Sequence, residues 1–322
     1  MSNNKSKKPF FLLFLLLFVL QIQAQDSGNK QILWTTDWSS DGKLIAIGGN
    51  VDTLKIYSSK NLDLIKSFPV DNTITCVTWH PKKNILAVGV QGSSENPFII
   101  DVETGSKKVL IGVSPDGARG VDWNHTGEYF AVADNDGQIS IYDINGRLIR
   151  KISHENTKGI TAIDWHPKKN IFVTVGDKIR IFDIDGTLLK TIAHRKESTL
   201  LLTVEWHPTG SFFATGDYGE VENGYPSLLQ FWSENGDLLM TNDISKGEYR
   251  NVRWNRKGNQ LATASDALRI WDIKGKLLAE GMSADFLWGL SWHKNGQRIV
   301  TSSKKQEVVI WDKKGRREKE IE

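Results

Sequence analysis

The chain has 322 residues, 41 basic and 38 acidic side chains and one cysteine, Cys76. One cysteine excludes a disulfide framework, and inside an apolar run Cys76 reads as a small buried residue. A near balance of charge excludes broad electrostatic attraction to nucleic acid or anionic lipid.

Residues 1–24 differ in character from the remainder of the chain. Lys5, Lys7 and Lys8 precede an unbroken apolar run from Phe10 to Leu20, which ends in Gln21-Ile22-Gln23-Ala24. A basic start, a short greasy centre and a small terminal residue predict a secretory signal peptide cleaved after Ala24. The run is well short of the ~20 residues that span a bilayer, so no stable membrane anchor is expected after cleavage. The mature protein, from residue 25, is then expected to be exported, periplasmic or secreted. Loss of three lysines leaves 38 basic against 38 acidic side chains.

From here the chain repeats. Ile74-Thr-Cys-Val-Thr-Trp79-His80-Pro81, Ile160-Thr-Ala-Ile-Asp-Trp165-His166-Pro167 and Leu202-Thr-Val-Glu-Trp206-His207-Pro208 are copies of one another. Looser copies end at Trp38, Trp123, Trp254 and Trp292, and the seven tryptophans are 41, 44, 42, 41, 48 and 38 residues apart. A period in this range marks a repeat architecture. After each tryptophan come a turn (Ser40-Asp41-Gly42, Thr126-Gly127, Thr209-Gly210), a short apolar run, and a third run that often closes on an aromatic residue and aspartate. The endings include Tyr142-Asp143, Phe182-Asp183, Trp271-Asp272 and Trp311-Asp312. A Gly turn such as Asn145-Gly146, Asp185-Gly186 or Asn235-Gly236 then leads to a fourth, more polar run; these turns predict two-residue hairpins. β-Branched and aromatic runs between Gly turns are strands. The predicted fold is all-β: a seven-bladed β-propeller of four-stranded antiparallel blades, filling residues 25–322.

Two residues before the tryptophan stands an apolar residue in six repeats, Val77, Val121, Ile163, Val204, Val252 and Leu290. Alternation puts it on the tryptophan's side, so the tryptophan is expected to fill the gap between blades. Between the two lies a polar residue, often acidic: Asp37, Asp122, Asp164, Glu205.

The repeat resembles the WD-repeat (WD40) β-propeller family, with Trp271-Asp272 and Trp311-Asp312 as the family's dipeptide. It departs in lacking the family's Gly-His pair, near whose place stand only His154 and His194. In that family, the face bearing the inner-strand starts and the hairpins between strands two and three is the usual partner-binding surface. The resemblance therefore implies a non-enzymatic interaction module for a protein or peptide. Four residues before each tryptophan that face would present Trp34, Thr75, Arg119, Thr161, Leu202, Arg250 and Trp288. Trp and Arg are the residue types that anchor interfaces. Trp34, Arg250 and Trp288 fall on consecutive blades once the ring closes, with Arg119 expected across the ring. Insertions at Val90–Pro97 and Asp217–Ser227 emerge on the same face, the second bringing Tyr218 and Tyr225. Trp34, Arg119, Arg250, Trp288, Tyr218 and Tyr225 are the candidate partner-binding residues. The competing expectation for the two tryptophans is inter-blade packing alone.

No catalytic residue, cofactor or metal site is predicted. His80, His166, His207 and His293 occupy the same turn of different blades, so they ring the molecule and do not converge as zinc ligands must. Asp52, Asp136, Asp177, Asp217 and Asp266 recur at the second hairpin, a structural pattern; only Asp217, Glu220 and Glu222 cluster enough to suggest an ion. The sequon Asn124-His125-Thr126 lies in a tight turn. The basic stretch Lys313–Lys319 fits a solvated edge strand. Two other protein classes fit the residues less well. A propeller hydrolase or lactonase with a channel metal needs converging carboxylates or histidines at the strand mouths, which hold Trp, Thr, Arg and Leu instead. An envelope transport component of TolB type carries a separate N-terminal domain, for which Gln25–Lys30 leaves no room.

Overall fold

The computed structural model describes residues 31–92, 96–153, 159–195 and 199–321; the predicted signal peptide and His154 lie outside the described residues. Seven four-stranded antiparallel sheets succeed one another, covering residues 35–69, 73–109, 118–153, 162–192, 201–242, 251–282 and 287–321. Each is a blade whose strands pair in chain order from inside to outside. The inner strands are Thr35–Trp38, Thr73–Trp79, Ala118–Trp123, Ala162–Trp165, Leu201–Trp206, Asn251–Trp254 and Leu287–Trp292. Every one ends on its repeat tryptophan.

The core is divided into seven apolar clusters, one for each junction between neighbouring blades. Each repeat tryptophan belongs to the cluster it shares with the preceding blade. Trp165 packs with Ile139, Ile141 and Ile152 of blade three, and Trp38 with Val300, Val308 and Ile310 of blade seven. Removing so large a buried aromatic costs about 3–5 kcal/mol, and the device is used seven times.

Ring closure uses no shared blade among the described residues. Blade seven is built from contiguous sequence, and blade one packs onto it. The Leu33 amide donates to the Ser303 carbonyl at 3.3 Å, and Ser302 Oγ donates to the Leu33 carbonyl at 3.1 Å.

The four histidines are inter-blade latches. The Nε2–H of His80, His166, His207 and His293 donates to the carbonyl of Gly127, Gly210, Gly258 and Gly42, at 3.1, 3.0, 2.6 and 3.2 Å. In each pair the glycine sits in the turn of the next blade. Each ring also stands edge-on to that blade's tryptophan, with centroids 4.7–5.1 Å apart. Where asparagine replaces histidine the turn is held differently. Asn124 is fully buried, its Oδ1 accepting from the amides of Gly127 and Tyr129 and its Nδ2 donating to Asn170. The sequon asparagine is thus consumed by the fold.

The third-to-fourth-strand turns differ from the predicted two-residue hairpins. In blade three, Gly146 N donates to Asp143 O and Asp143 N to Arg147 O, so three residues form the loop, with Gly146 alone at positive φ (70°). This is a turn closed by a glycine bulge. The strand-end aspartate explains it: Asp143 Oδ1 accepts from the amides of Asn145 and Arg147, and Asp312 Oδ1 from those of Lys314 and Arg316. The aspartate of the Trp-Asp dipeptide is therefore a turn cap. Its tryptophan is buried, with Trp271 Nε1 donating to Thr263 Oγ1 and Trp311 Nε1 to Thr301 Oγ1, at 3.1 and 2.8 Å. Trp232 does the same to Thr215 at 2.9 Å. This indole–threonine link is found in three blades among the described residues, and at blade five the buried His194, near the place of the missing Gly-His pair, lies 3.7 Å from Asp217.

Gly210 shows how tightly the latch is fitted. Its φ is +81°, and a Cβ there would lie 2.3 Å from His166 Nε2. Gly210→Ala is expected to lower stability by about 2 kcal/mol or more, from backbone strain plus displacement of the histidine. His166→Ala should recover part of the loss in the double variant, because it removes the clash. Denaturant melts of the two single variants and the double variant measure that coupling.

Candidate functional site

The residue before each tryptophan points the other way, into the axial channel. Going round the ring these are Asp37, Thr78, Asp122, Asp164, Glu205, Arg253 and Ser291. Four carboxylates therefore share the interior of the channel with one guanidinium. Each carboxylate holds the next blade. The amides of Trp79, Trp165, Trp206 and Trp254 donate to Asp37, Asp122, Asp164 and Glu205. Ser291 Oγ closes the ring, accepting from Trp38 N at 3.1 Å and donating to Asp37 Oδ1 at 2.7 Å.

Holding four acids this deep perturbs them. Desolvation raises the pKa of all four, to about 6 at Asp122 and about 8 at Glu205, with Asp164 also pushed up by its acidic neighbours Asp122 and Glu205. Arg253 opposes the shift at each of them by charge attraction. The acidic residues at this position are visible in the sequence, but alternation alone does not say that they face one another around an axis.

Above this ring the channel widens into a cavity on the face where the inner strands begin. The lining includes Trp34, Thr75, Arg119, Thr161, Arg250, Arg253 and Trp288. Two of these residues are structural: Thr75 Oγ1 donates to the Ala118 carbonyl and Thr161 Oγ1 to the Leu201 carbonyl, both at 2.6 Å. The candidate residues form a contiguous arc. Trp34 and Trp288 meet edge-to-face with centroids 4.7 Å apart, joining blades one and seven. Arg250 stacks over Trp288, its guanidinium carbon 4.0 Å from the ring centroid, and Arg119 lies 5.6 Å from that of Trp34. Arg119 is thus not isolated across the ring: it reaches past the short Thr75 to join the aromatic pair.

Tyr218 and Tyr225 separate. Tyr218, whose amide donates to the Leu200 carbonyl beside the start of blade five's inner strand, lies near Glu248 and Arg250. Tyr225 is exposed and lies under the Arg195 guanidinium, 5.9 Å away. The insertion that carries both is anchored by Asp217, a fully buried carboxylate that accepts from the Leu228 amide and from Arg195 Nη1, at 2.6 and 2.8 Å. Glu220 accepts from Asn223 Nδ2. Asp217 is thereby committed to the loop, and among the described residues no three acidic, histidine or cysteine side chains are grouped to hold a metal. The other second-hairpin aspartates also serve structure. Asp177 pairs with Arg180 and Asp266 with Arg269, but in blade three the hairpin is held by Asp134, which accepts from Ser114, Asp136 and Gln138, and not by the predicted Asp136. Cys76 is only partly buried and lines the channel cavity, where desolvation raises its pKa to about 11. It packs against the apolar junction of blades two and three, as its run suggests, and also faces the channel.

A seven-bladed ring of four-stranded sheets with partial Trp-Asp signatures defines the class: the chain belongs to the WD-repeat β-propeller family. The family described as "WD domain, G-beta repeat" matches residues 275–312, and "Anaphase-promoting complex subunit 4 WD40 domain" matches residues 18–82. "Eukaryotic translation initiation factor eIF2A" matches three overlapping stretches, 52–193, 88–252 and 137–290, so the same pattern fits the chain in several phases of its repeat. Similar proteins include anaphase-promoting complex subunit cdc20 of Dictyostelium discoideum, 27% identical over 49% of this chain and 31% of that protein. Eukaryotic translation initiation factor 3 subunit I of Neurospora crassa is 23% identical over 46% of each. Meiotic fizzy-related protein 2 of Schizosaccharomyces pombe is 27% identical over 43% of this chain and 28% of its own length. These alignments span less than half of each relative's length.

The acidic ring sets a pH dependence. A carboxyl whose folded pKa is raised above its unfolded value adds stability at low pH, and that stability is lost as pH rises through the folded pKa. Melting temperature is expected to fall as pH rises from about 4.5, the ordinary glutamate value, to the Glu205 value of about 8, and to level off above it. Glu205→Gln, which keeps an acceptor for the Trp254 amide, should flatten that slope and be the more stable protein at the alkaline end. Thermal melts of both proteins across this range check it.

Proposed function

We propose that this protein is an interaction scaffold that binds a protein or peptide at the mouth of its axial channel, on the face carrying Trp34, Arg119, Tyr218, Arg250 and Trp288. The observation that carries this reading is the arc in which two arginines flank an edge-to-face tryptophan pair at the rim of an open cavity. Aromatic and arginine side chains in such an arrangement give interfaces their anchors. Two of the relatives are named as subunits of larger assemblies, an anaphase-promoting complex and an initiation factor, which agrees with a binding role. A non-enzymatic reading is supported by the commitment of the channel carboxylates to the amides of the next blade.

The scaffold is proposed to act after export. The support is Lys5, Lys7 and Lys8 followed by the apolar run Phe10 to Leu20. N-terminal sequencing of the protein from its native cell should return Gln25 as first residue; an intact Met1 on a cytoplasmic protein would end that reading.

For the binding face, a photo-crosslinking amino acid at Tyr218 should capture a partner, while one at Lys168, on the histidine-turn side, should not. Trp288→Ala and Trp34→Ala should each reduce capture, a true anchor being worth about 2 kcal/mol or roughly thirtyfold in affinity. A lowered melting temperature with capture unchanged would show that the tryptophans serve only the junction between blades.

A further inference from the structure

Resting on that reading of the mouth, we infer that the pocket selects its partner by charge: it receives an acidic side chain of a partner segment, clamped between Arg119 and Arg250. Three arginines line the cavity, Arg119, Arg250 and Arg253, and no carboxylate does. The three are not equivalent. Arg253 lies closest to the acidic ring and is drawn to Glu205, Asp37, Asp164 and Asp122. Arg250 gives its Nε and Nη2 to Glu248 Oε1. Arg119 donates Nε to Gln91 Oε1 at 3.1 Å, and among the described residues neither of its Nη atoms has a protein acceptor. It is partly buried in the cavity wall near Arg250, and desolvation, then the neighbouring positive charge, lowers its pKa to about 10.

A guanidinium in that position is one whose unmet demand is for an anion. Burying a cation without a counter-ion is costly, and a carboxylate that accepts a fork of two N–H bonds offsets the cost. Glu248 does not supply it, being engaged with Arg250 from two residues away. The occupant is an acidic side chain because the mouth couples the two arginines to apolar rings. A glutamate carries two methylenes that can lie against Trp34 and Trp288 while its carboxylate meets the arginines. The channel also limits how far an anion travels. The acidic ring offers an entering carboxylate no cation other than Arg253, so the acidic group is held at the rim.

The test uses short peptides blocked at both ends, alternating glutamate with serine, and the same peptides with glutamine. Titration calorimetry on the full protein at low salt should show the glutamate peptide binding at least about tenfold more tightly than the glutamine peptide. Arg119→Gln and Arg250→Gln should each abolish that preference at unchanged melting temperature. Arg119→Lys, which keeps the charge and loses the fork, should retain part of it. Equal binding of the two peptides, or a full preference in Arg119→Gln, overturns the inference. Free glutarate binding as tightly as the peptide would make the site one for a small anion. Tighter binding of a thymidine oligonucleotide would make it one for phosphate. Either result also overturns the inference. A partner crosslinked at Tyr218 whose capture is lost in Trp288→Ala but not in Arg119→Gln or Arg250→Gln leaves the interaction face standing and removes only the acidic selection.

Discussion

Each blade is held to the next by a single recurring clasp, and the ring exists because that clasp is repeated. The tryptophan at the end of an inner strand fills the apolar junction with the preceding blade. In five blades the residue before it carries the polar half: the side chain of Asp37, Asp122, Asp164, Glu205 or Ser291 accepts the amide of the next blade's tryptophan. In four blades a third contact is added, a histidine that stacks edge-on against the next tryptophan and donates to the glycine beyond it. Burial supplies most of the energy, while the hydrogen bonds set the angle and register at which blades meet. Without the clasp a lone four-stranded blade would leave both apolar faces in water.

The clasp has an electrostatic by-product. Four of its polar positions are acidic, so closing the ring gathers carboxylates that are distant in sequence around one axis, with only Arg253 among them. The result is a channel with an acidic interior and a basic rim. The two charges do different work. The interior carboxylates are tied to backbone amides and serve the fold. The rim arginines rest on aromatic faces, one of them with both Nη groups unmatched by protein acceptors among the described residues. Structural economy inside and unmet polarity outside are what the proposed binding face rests on.

Much of this is legible in the residues themselves. The strand count, the blade phase and the burial of the seven tryptophans come from a period of about 42 residues and two-residue alternation, because pleated strands that bury both faces cannot hide their pattern. The histidine turns read as structural for a sound reason: equivalent positions of a ring do not converge. Even the rim arc of Trp34, Trp288 and Arg250 can be read from equal offsets on consecutive blades.

Tertiary structure decided what depends on distance across the ring. Arg119 joins the aromatic arc because Thr75, the intervening residue, is small; sequence offsets place Arg119 on the face but cannot say how far its long side chain reaches. Cys76 packs on the junction of blades two and three and also borders the channel cavity. Asp134 takes the hairpin role predicted for Asp136, a choice of backbone geometry that two neighbouring aspartates do not reveal. The acidic ring is the clearest case. Its members are visible one by one, but a carboxylate's pKa depends on which charges surround it in space, and only a closed ring brings Asp37, Asp122, Asp164, Glu205 and Arg253 together.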